Sequence, residues 1–487
     1  MKYFAWIALA LLATIPYLGA IGAPLLYDDR TILDNKWLAH EAGLTSVFAK
    51  PYFFGTQHGQ GDPNLYRPLT VLSLAWNARL APSRAGFRAV NIAAHAATTL
   101  LLFALLLALA SPEAAFIGAA LFAVHPLGSE AVLWAVGRAE IFAALLGLVA
   151  FGAFMRLRNR PGLGGYGLAV SVAAFFAALC FKESAAVWLA IGAAWMTIRP
   201  KADRRWVPSD LARAGVYAAA FVSFLVLRAS VVGWGHQPAP FVDNPLVTAD
   251  GATRIVNAIL LFARYVSKMV WPQTLSVDYG FDQLPVVSLL PWGAAAAAAV
   301  AAGILVAAIA LVRKGHAVAA FLLASIPCAF AVTGNFLFPI GTIFAERLAY
   351  TPLLGFCGLA GVLLAMIPKA QARRIAVAVL IVACGARTIA RGREYADLKT
   401  FNEATVQASP SAVKALVNAA RTRLRLGDAA GARPLLERAV AIWPDYQRAW
   451  HLLAEACDAL GDAPHAGEAR RNETAAAGRG AAGDEPL

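Results

Sequence analysis

Acidic and basic residues recur in pairs within otherwise apolar sequence. An ionisable side chain there costs several kcal/mol unless it is paired or hydrated. Tyr27-Asp28-Asp29-Arg30 follows directly on the first apolar run. Two adjacent carboxylates repel, so one holds its proton to higher pH, which suits a general base for an acceptor hydroxyl. The alternative is a polar helix stop with Arg30 as counter-ion. Tyr66-Arg67-Pro68-Leu69-Thr70, preceded by His58 and Asp62, offers a guanidinium for bidentate phosphate binding or for snorkelling at an interface. His125, Glu130, Arg138 and Glu140 fall within sixteen residues. On a helix Glu130 and Arg138 lie about two turns apart on one side, so a mutual salt bridge competes with ligand contact. The HxxxxE spacing of His125 and Glu130 is weak for a metal set, and a divalent metal stays an open alternative. Lys182-Glu183, Asp278-Tyr279 and Glu346-Arg347 complete the series. Carboxylates alone would suggest cation transport. Their mixture with Arg67, Arg138, Lys182 and Arg347 points to an anionic head group beside an acid–base centre.

The elements that position these residues are membrane helices. Of 487 residues, 59% are hydrophobic and only 15% charged, where a soluble chain carries about 25%. Apolar runs cover 4–26, 88–109, 114–134, 139–155, 165–181, 184–198, 212–232, 287–312, 316–338, 347–367 and 374–391, an all-α polytopic bundle of about eleven crossings. The basic clusters Arg156/Arg158/Arg160, Arg199/Lys201/Arg204/Arg205, Arg313/Lys314 and Lys369/Arg373/Arg374 face the cytoplasm by the positive-inside rule. That threading puts loops 27–87 and 233–286, every charged pair above and the C-terminal tail on the outer side. Residues 252–271 carry Arg254, Arg264 and Lys268 and read as an amphipathic interfacial or re-entrant helix. The first run reads as an uncleaved helix, since Pro24 spoils the cleavage site. The net charge of +13 belongs to the cytoplasmic loops and implies no nucleic acid. The five cysteines show no metal or redox spacing.

The membrane domain spans 1–391. From 392 to 474 the character is soluble helix. Pro410 and Pro444, Ala420 and Ala454, Gly427 and Gly461, and Ala432 and Ala466 are each 34 residues apart, the tetratricopeptide period. About two and a half repeats fit, with Leu436, Ala439 and Trp443 on the packing face. Residues 475–487 read as a disordered Ala/Gly-rich end.

At Tyr27-Asp28-Asp29-Arg30, Tyr66-Arg67-Pro68-Leu69-Thr70, His125-Pro126, Glu130-Ala131-Val132, Gly137-Arg138-Ala139-Glu140, Leu275-Ser276-Val277-Asp278-Tyr279 and Glu346-Arg347-Leu348-Ala349-Tyr350, the chain resembles the transmembrane-and-tetratricopeptide-repeat (TMTC) family of O-mannosyltransferases, in a short bacterial-type version. The resemblance implies a GT-C glycosyltransferase of the inner membrane with its site and repeats outside. It implies an acidic pair in the first outer loop, matched by Asp28 and Asp29, and a polyprenyl-phosphate sugar as donor. The acceptor is a hydroxyl on a protein, glycan or lipid, docked in one reading on the repeats. On these residues Asp29 or Asp28 is the base of an inverting displacement. Arg67, Arg138, Lys182 and Arg347 stabilise the leaving phosphate. Tyr66, His125, Glu130, Glu140, Glu183, Asp278 and Glu346 hold sugar or orient those cations. The rival readings are a transporter or flippase of an anionic lipid or solute, and a non-catalytic repeat scaffold.

Overall fold

The computed structural model describes residues 2–56, 65–159, 164–199, 208–235, 239–288 and 291–478, and no strand occurs among them. His58 and Asp62 lie outside the described residues. A first helix, α1 (Lys2–Leu18), leads into the segment expected on the outer side, a run of short helices: α2 (Asp28–Leu33), α3 (Lys36–His40), α4 (Leu44–Phe48) and α5 (Pro68–Leu80). The bundle continues with α6 (Arg84–Leu109), α7 (Pro112–Val124), a short α8 (Ser129–Leu133), α9 (Arg138–Asn159), α10 (Gly164–Phe181), α11 (Val187–Ile198) and α12 (Pro208–Val232). It closes with α13 (Gly251–Val270), α14 (Pro291–Arg313), α15 (Ala317–Phe330), α16 (Tyr350–Ala365) and α17 (Ala370–Glu394).

Six of these helices are long and apolar enough to cross a membrane. The pair 112–124 and 126–133, bent by 51°, is a seventh candidate, and four shorter apolar helices match the remaining runs. The ends differ from the sequence reading. The first run stops as helix at Leu18, and the run 316–338 stops at Phe330. The run 114–134 breaks because Pro126 has no amide to continue the helix; His125 caps the next turn instead, accepting the Leu127 amide. α13 is not among the spanning candidates. It buries one face, Asn257, Leu261, Tyr265 and Met269 among its residues, and leaves Arg264 exposed. That one-sided burial is what an interfacial helix requires. Asp250 starts it by accepting the Ala252 and Thr253 amides.

The two ends of the bundle differ in chemistry. At one, Glu113 at the start of α7 pairs with Arg373 at the start of α17, 2.7 Å apart. At the other, Thr388 near the end of α17 donates to the Val124 carbonyl that ends α7. This second end gathers the outer segment, the α7–α8 break, the start of α9 and the segment before α16. Between them α7 and α16 run in close contact. A Cβ on Gly361 would run into the Ala114 carbonyl and come within 2.6 Å of the Gly118 amide. Small residues permit this backbone approach in a bundle whose helices gain little hydrophobic drive from lipid.

The tail consists of α18 (Leu398–Ala408), α19 (Val413–Arg425), α20 (Ala429–Ile442), α21 (Gln447–Ala459) and α22 (Ala463–Gly478). Gly427 and Gly461, one period apart, both take positive φ (79° and 73°) where α19 and α21 end, a conformation other residues adopt at a cost. Leu436 and Ala439 are buried between the repeat helices, and Trp443 packs against the same core, stacked on Tyr446, while also meeting Phe241 and Phe281 from the segments either side of α13. α22 reaches Gly478, so residues 475–478 are helical rather than disordered; the rest of that stretch lies outside the described residues.

Gly361→Val should separate α7 from α16 and lower stability by about 1–3 kcal/mol. Thermal unfolding in detergent measures it, and an unchanged midpoint contradicts the close approach.

Candidate active site

The acidic pair sits on α2, and its two members have different surroundings. Asp29 is buried, with both oxygens engaged by the α8–α9 turn: Oδ2 accepts the Ala135 amide at 3.0 Å and Oδ1 the Val136 amide at 2.9 Å. Burial pushes its carboxyl up to about 6, against the pull of those two amides. Asp28 is exposed. Its charge acts on Arg347. Burial raises the Tyr52 hydroxyl above its ordinary range, and the charges of Arg67, Asp28, Asp29 and Arg347 all reach it. The exposed aspartate is therefore within electrostatic reach of Arg347, and both it and Arg67 act on Tyr52, while its partner fastens the loop to the bundle.

Three of the four expected phosphate ligands are ion-paired. Glu183 takes the Nε and Nη2 atoms of Arg67 at 3.0 and 2.6 Å. Glu130 takes Nη1 of Arg347 at 2.5 Å and accepts its backbone amide at 2.8 Å. Lys182 pairs with Glu140. The side chains of Arg347 and Arg67 keep 28% and 16% of their surface open, against 7% for Lys182, so the two arginines can meet a ligand and the lysine is a buried neighbour. Each guanidinium also lies over an aromatic ring, Arg347 over Trp134 at 5.5 Å and Arg67 over Tyr52 at 5.4 Å.

Arg138 is placed otherwise. It is fully buried and donates to the carbonyls of Ala135, Ser73 and Phe87 and to Asn77 Oδ1. It ties α9 to α5 and α6 and has no face toward a phosphate, and the Glu130–Arg138 salt bridge gives way to Glu130–Arg347. His125 is likewise engaged: Nε2–H donates to the Met269 carbonyl at 2.9 Å and Nδ1 accepts the Leu127 amide. Tyr66 is buried and donates to the Phe48 carbonyl. Glu346 accepts the Ser276 amide and the Tyr279 hydroxyl, fixing the 275–279 segment. Asp278 accepts the Gly280 amide, and burial raises its carboxyl. Among the described residues no group of three or more His, Cys, Asp or Glu has metal-binding geometry; His125, Glu130 and Glu140 each face a different partner.

Sequence reasoning missed four residues. Arg88 is buried and donates to the carbonyls of Leu133, Ala23 and Pro24, stapling the start of the outer segment to α8. Arg391 is buried beside Glu394 and the Leu275 carbonyl. Both stand at the edges of apolar runs, where a lone arginine reads as snorkelling. Tyr52 and Asn402 carry no signal at all. Asn402, on α18, accepts the Tyr27 hydroxyl. Tyr27 itself has φ 45° and ψ −119°, a combination natural to glycine that costs about 1–3 kcal/mol in another residue.

Fold and site together define a polytopic helical membrane protein with one charged end and a repeat tail. The tetratricopeptide repeat family matches residues 423–469. The chain is 26% identical to Protein O-mannosyl-transferase F38B6.6 of Caenorhabditis elegans over 72% of this chain and 50% of that protein. It is 30% identical to Protein O-mannosyl-transferase Tmtc2 of Drosophila melanogaster over 57% and 31%, and 24% identical to Protein O-mannosyl-transferase TMTC4 of Homo sapiens over 73% and 54%. The chain is thus a homologue of the TMTC O-mannosyltransferases, and it spans about half the length, or less, of the curated relatives it matches.

Two outcomes follow from the geometry. Arg138→Ala leaves buried carbonyls without donors and should cost at least about 2 kcal/mol, read as a lower unfolding midpoint in detergent. An unaltered midpoint contradicts a bracing role. Asp29 binds its proton more tightly folded, near 6, than unfolded, near 3.9. Its contribution to stability is therefore greatest below about pH 4 and falls as pH rises to about 6. Asp29→Asn should flatten that part of the midpoint-versus-pH curve, and parallel curves for the two proteins contradict the assignment.

Proposed function

We propose that this protein is a GT-C-type membrane glycosyltransferase that moves a sugar from a polyprenyl phosphate to an acceptor hydroxyl on the outer face of the inner membrane. The observation that carries the proposal is the pair of partly open, ion-paired arginines, Arg67 and Arg347, at the end of the bundle that also holds the tail, with the exposed Asp28 within electrostatic reach of Arg347 and acting, like Arg67, on Tyr52. The names of the relatives make mannose the first sugar and a protein the first acceptor to test.

In this reading Asp28 takes the proton of the acceptor hydroxyl as its oxygen bonds to the anomeric carbon. The bond from that carbon to the phosphate oxygen breaks, and the polyprenyl phosphate leaves with one more negative charge. A single displacement with no enzyme-bound sugar inverts the anomeric centre. Nη1 of Arg67 and Nε and Nη2 of Arg347 stabilise the departing phosphate. Their partner carboxylates, Glu183 and Glu130, hold the guanidinium planes in place before substrate arrives, so little reorganisation is needed during the reaction. Lys182 and Glu140 set the field behind them, and Asp29 fixes the loop that presents Asp28. The bundle crosses the membrane eleven times with α13 on the outer interface. A repeat tail on the same side offers an acceptor protein a place to dock. A divalent metal would be held from the same carboxylates only after their present ion pairs had opened.

Purified protein in lipid, given polyprenyl-phosphate mannose and serine- or threonine-containing peptides, should yield mannosylated peptide. Asp28→Asn should lower kcat by at least about 100-fold without moving the unfolding midpoint. Full activity in Asp28→Asn would remove it from the mechanism.

A further inference from the structure

The repeat tail touches the head at more than one kind of contact. Ser411, between α18 and α19, accepts the Asp282 amide at 3.1 Å, and the Phe281 carbonyl accepts the Val413 amide at 2.6 Å. Lys414 pairs with Asp243 at 2.9 Å, and Trp443 packs on Phe241 and Phe281. These hold the tail to the long outer loop and would suffice for simple docking. One contact goes elsewhere. The Tyr27 hydroxyl donates to Asn402 Oδ1, 375 residues along the chain. The other end of that amide is occupied: Nδ2 donates to Thr422 Oγ1 at 2.8 Å, and Thr422 Oγ1 donates to the Asn418 carbonyl at 3.0 Å. Flipping the amide would set Oδ1 against the Asn418 carbonyl and against Thr422 Oγ1, whose proton is already given to that carbonyl, so Oδ1 is fixed toward Tyr27. The Tyr27 ring lies between Trp134, 6.3 Å away by centroids, and Phe401 of α18, 5.7 Å away.

Tyr27 immediately precedes the acidic pair. Its carbonyl accepts the amides of Arg30 at 2.9 Å and Thr31 at 3.2 Å, which starts α2. Its backbone conformation is one that tyrosine does not choose unaided, so something outside the loop must hold it. Arg88 at the Ala23 and Pro24 carbonyls and Asp29 at the 135 and 136 amides anchor the chain on either side; the Tyr27 side chain itself is held by the Asn402 bond and the two flanking rings, and Asn402 and Phe401 both belong to the tail.

We infer that Asn402 is a positioning residue: through Tyr27 it holds α2, and with it the acidic pair, so the first tail helices are a working part of the outer site rather than an appendage. The kinetic consequence rests on the transferase reading above; the mechanical coupling does not.

The test uses the full chain in lipid, with Tyr27→Phe, Asn402→Ala and the double variant. Hydrogen exchange at the amides of residues 29–31 reads the loop directly. Each single variant should speed it by at least about tenfold while α20–α22 keep their protection, and the double variant should be no faster than the quicker single. In the transfer assay each single variant should lower kcat by about tenfold with the KM for the donor unchanged, and the double variant should be no worse than the poorer single. Exchange that stays at the wild-type rate overturns the inference, whatever the activity. So does a kcat loss that multiplies in the double variant, or a change in KM alone. Faster exchange in a protein that transfers no sugar supports the coupling and counts against the transferase reading only.

Discussion

Glu130 is wholly buried at one end of a helix bundle, and a carboxylate there must be met by a cation or give up its charge. Arg347 meets it twice, with a guanidinium nitrogen and with its backbone amide. This contact joins the α7–α8 break to the segment before α16, across 217 residues of chain. The same constraint recurs beside it in Lys182 with Glu140, and a more open pair, Arg67 with Glu183, stands next to them. Each pair links two elements that arrive at this end from different parts of the sequence. The charges therefore do two things at once: they lock the helix ends in register, and they leave Arg67 and Arg347 partly open.

The packing below makes that register achievable. α7 and α16 approach closely through Gly118 and Gly361, which brings the end of α7 level with the start of α16. Arg88 and Arg138 then fasten the outer segment by donating to backbone carbonyls rather than to carboxylates. A guanidinium used this way satisfies several carbonyls that end helices or line loops, groups that would otherwise be buried without donors. Charge compensation at the partly open face and carbonyl bracing behind it are separate tasks given to the same residue type.

That division explains what could be read from the chain and what could not. The apolar runs and the 34-residue period are local properties, and the helices and repeats follow them closely. The one-sided α13 is legible for the same reason, whereas the break at Pro126 inside the run 114–134 is not read from the chain. Partnership is not local. Nothing near Arg138 tells it apart from Arg347; the difference lies in Ser73, Asn77 and Phe87, which only the fold brings close. Asp28 and Asp29 are neighbours of identical chemistry, separated by which of them meets the amides of 135 and 136. Asn402 looks like any polar residue of a soluble helix until the tail folds back on the head.

The central claim is that the acidic pair, the ion-paired cations and the tail share one side of the membrane. On a chain with its five cysteines replaced, single cysteines at Asp28, Glu183 and Glu455 can be challenged with a membrane-impermeant maleimide in intact vesicles. The account predicts that all three react from the same side, and that a cysteine at Arg156 reacts only from the other. Labelling of positions 28 and 183 from opposite sides would contradict it, because no common site could then exist.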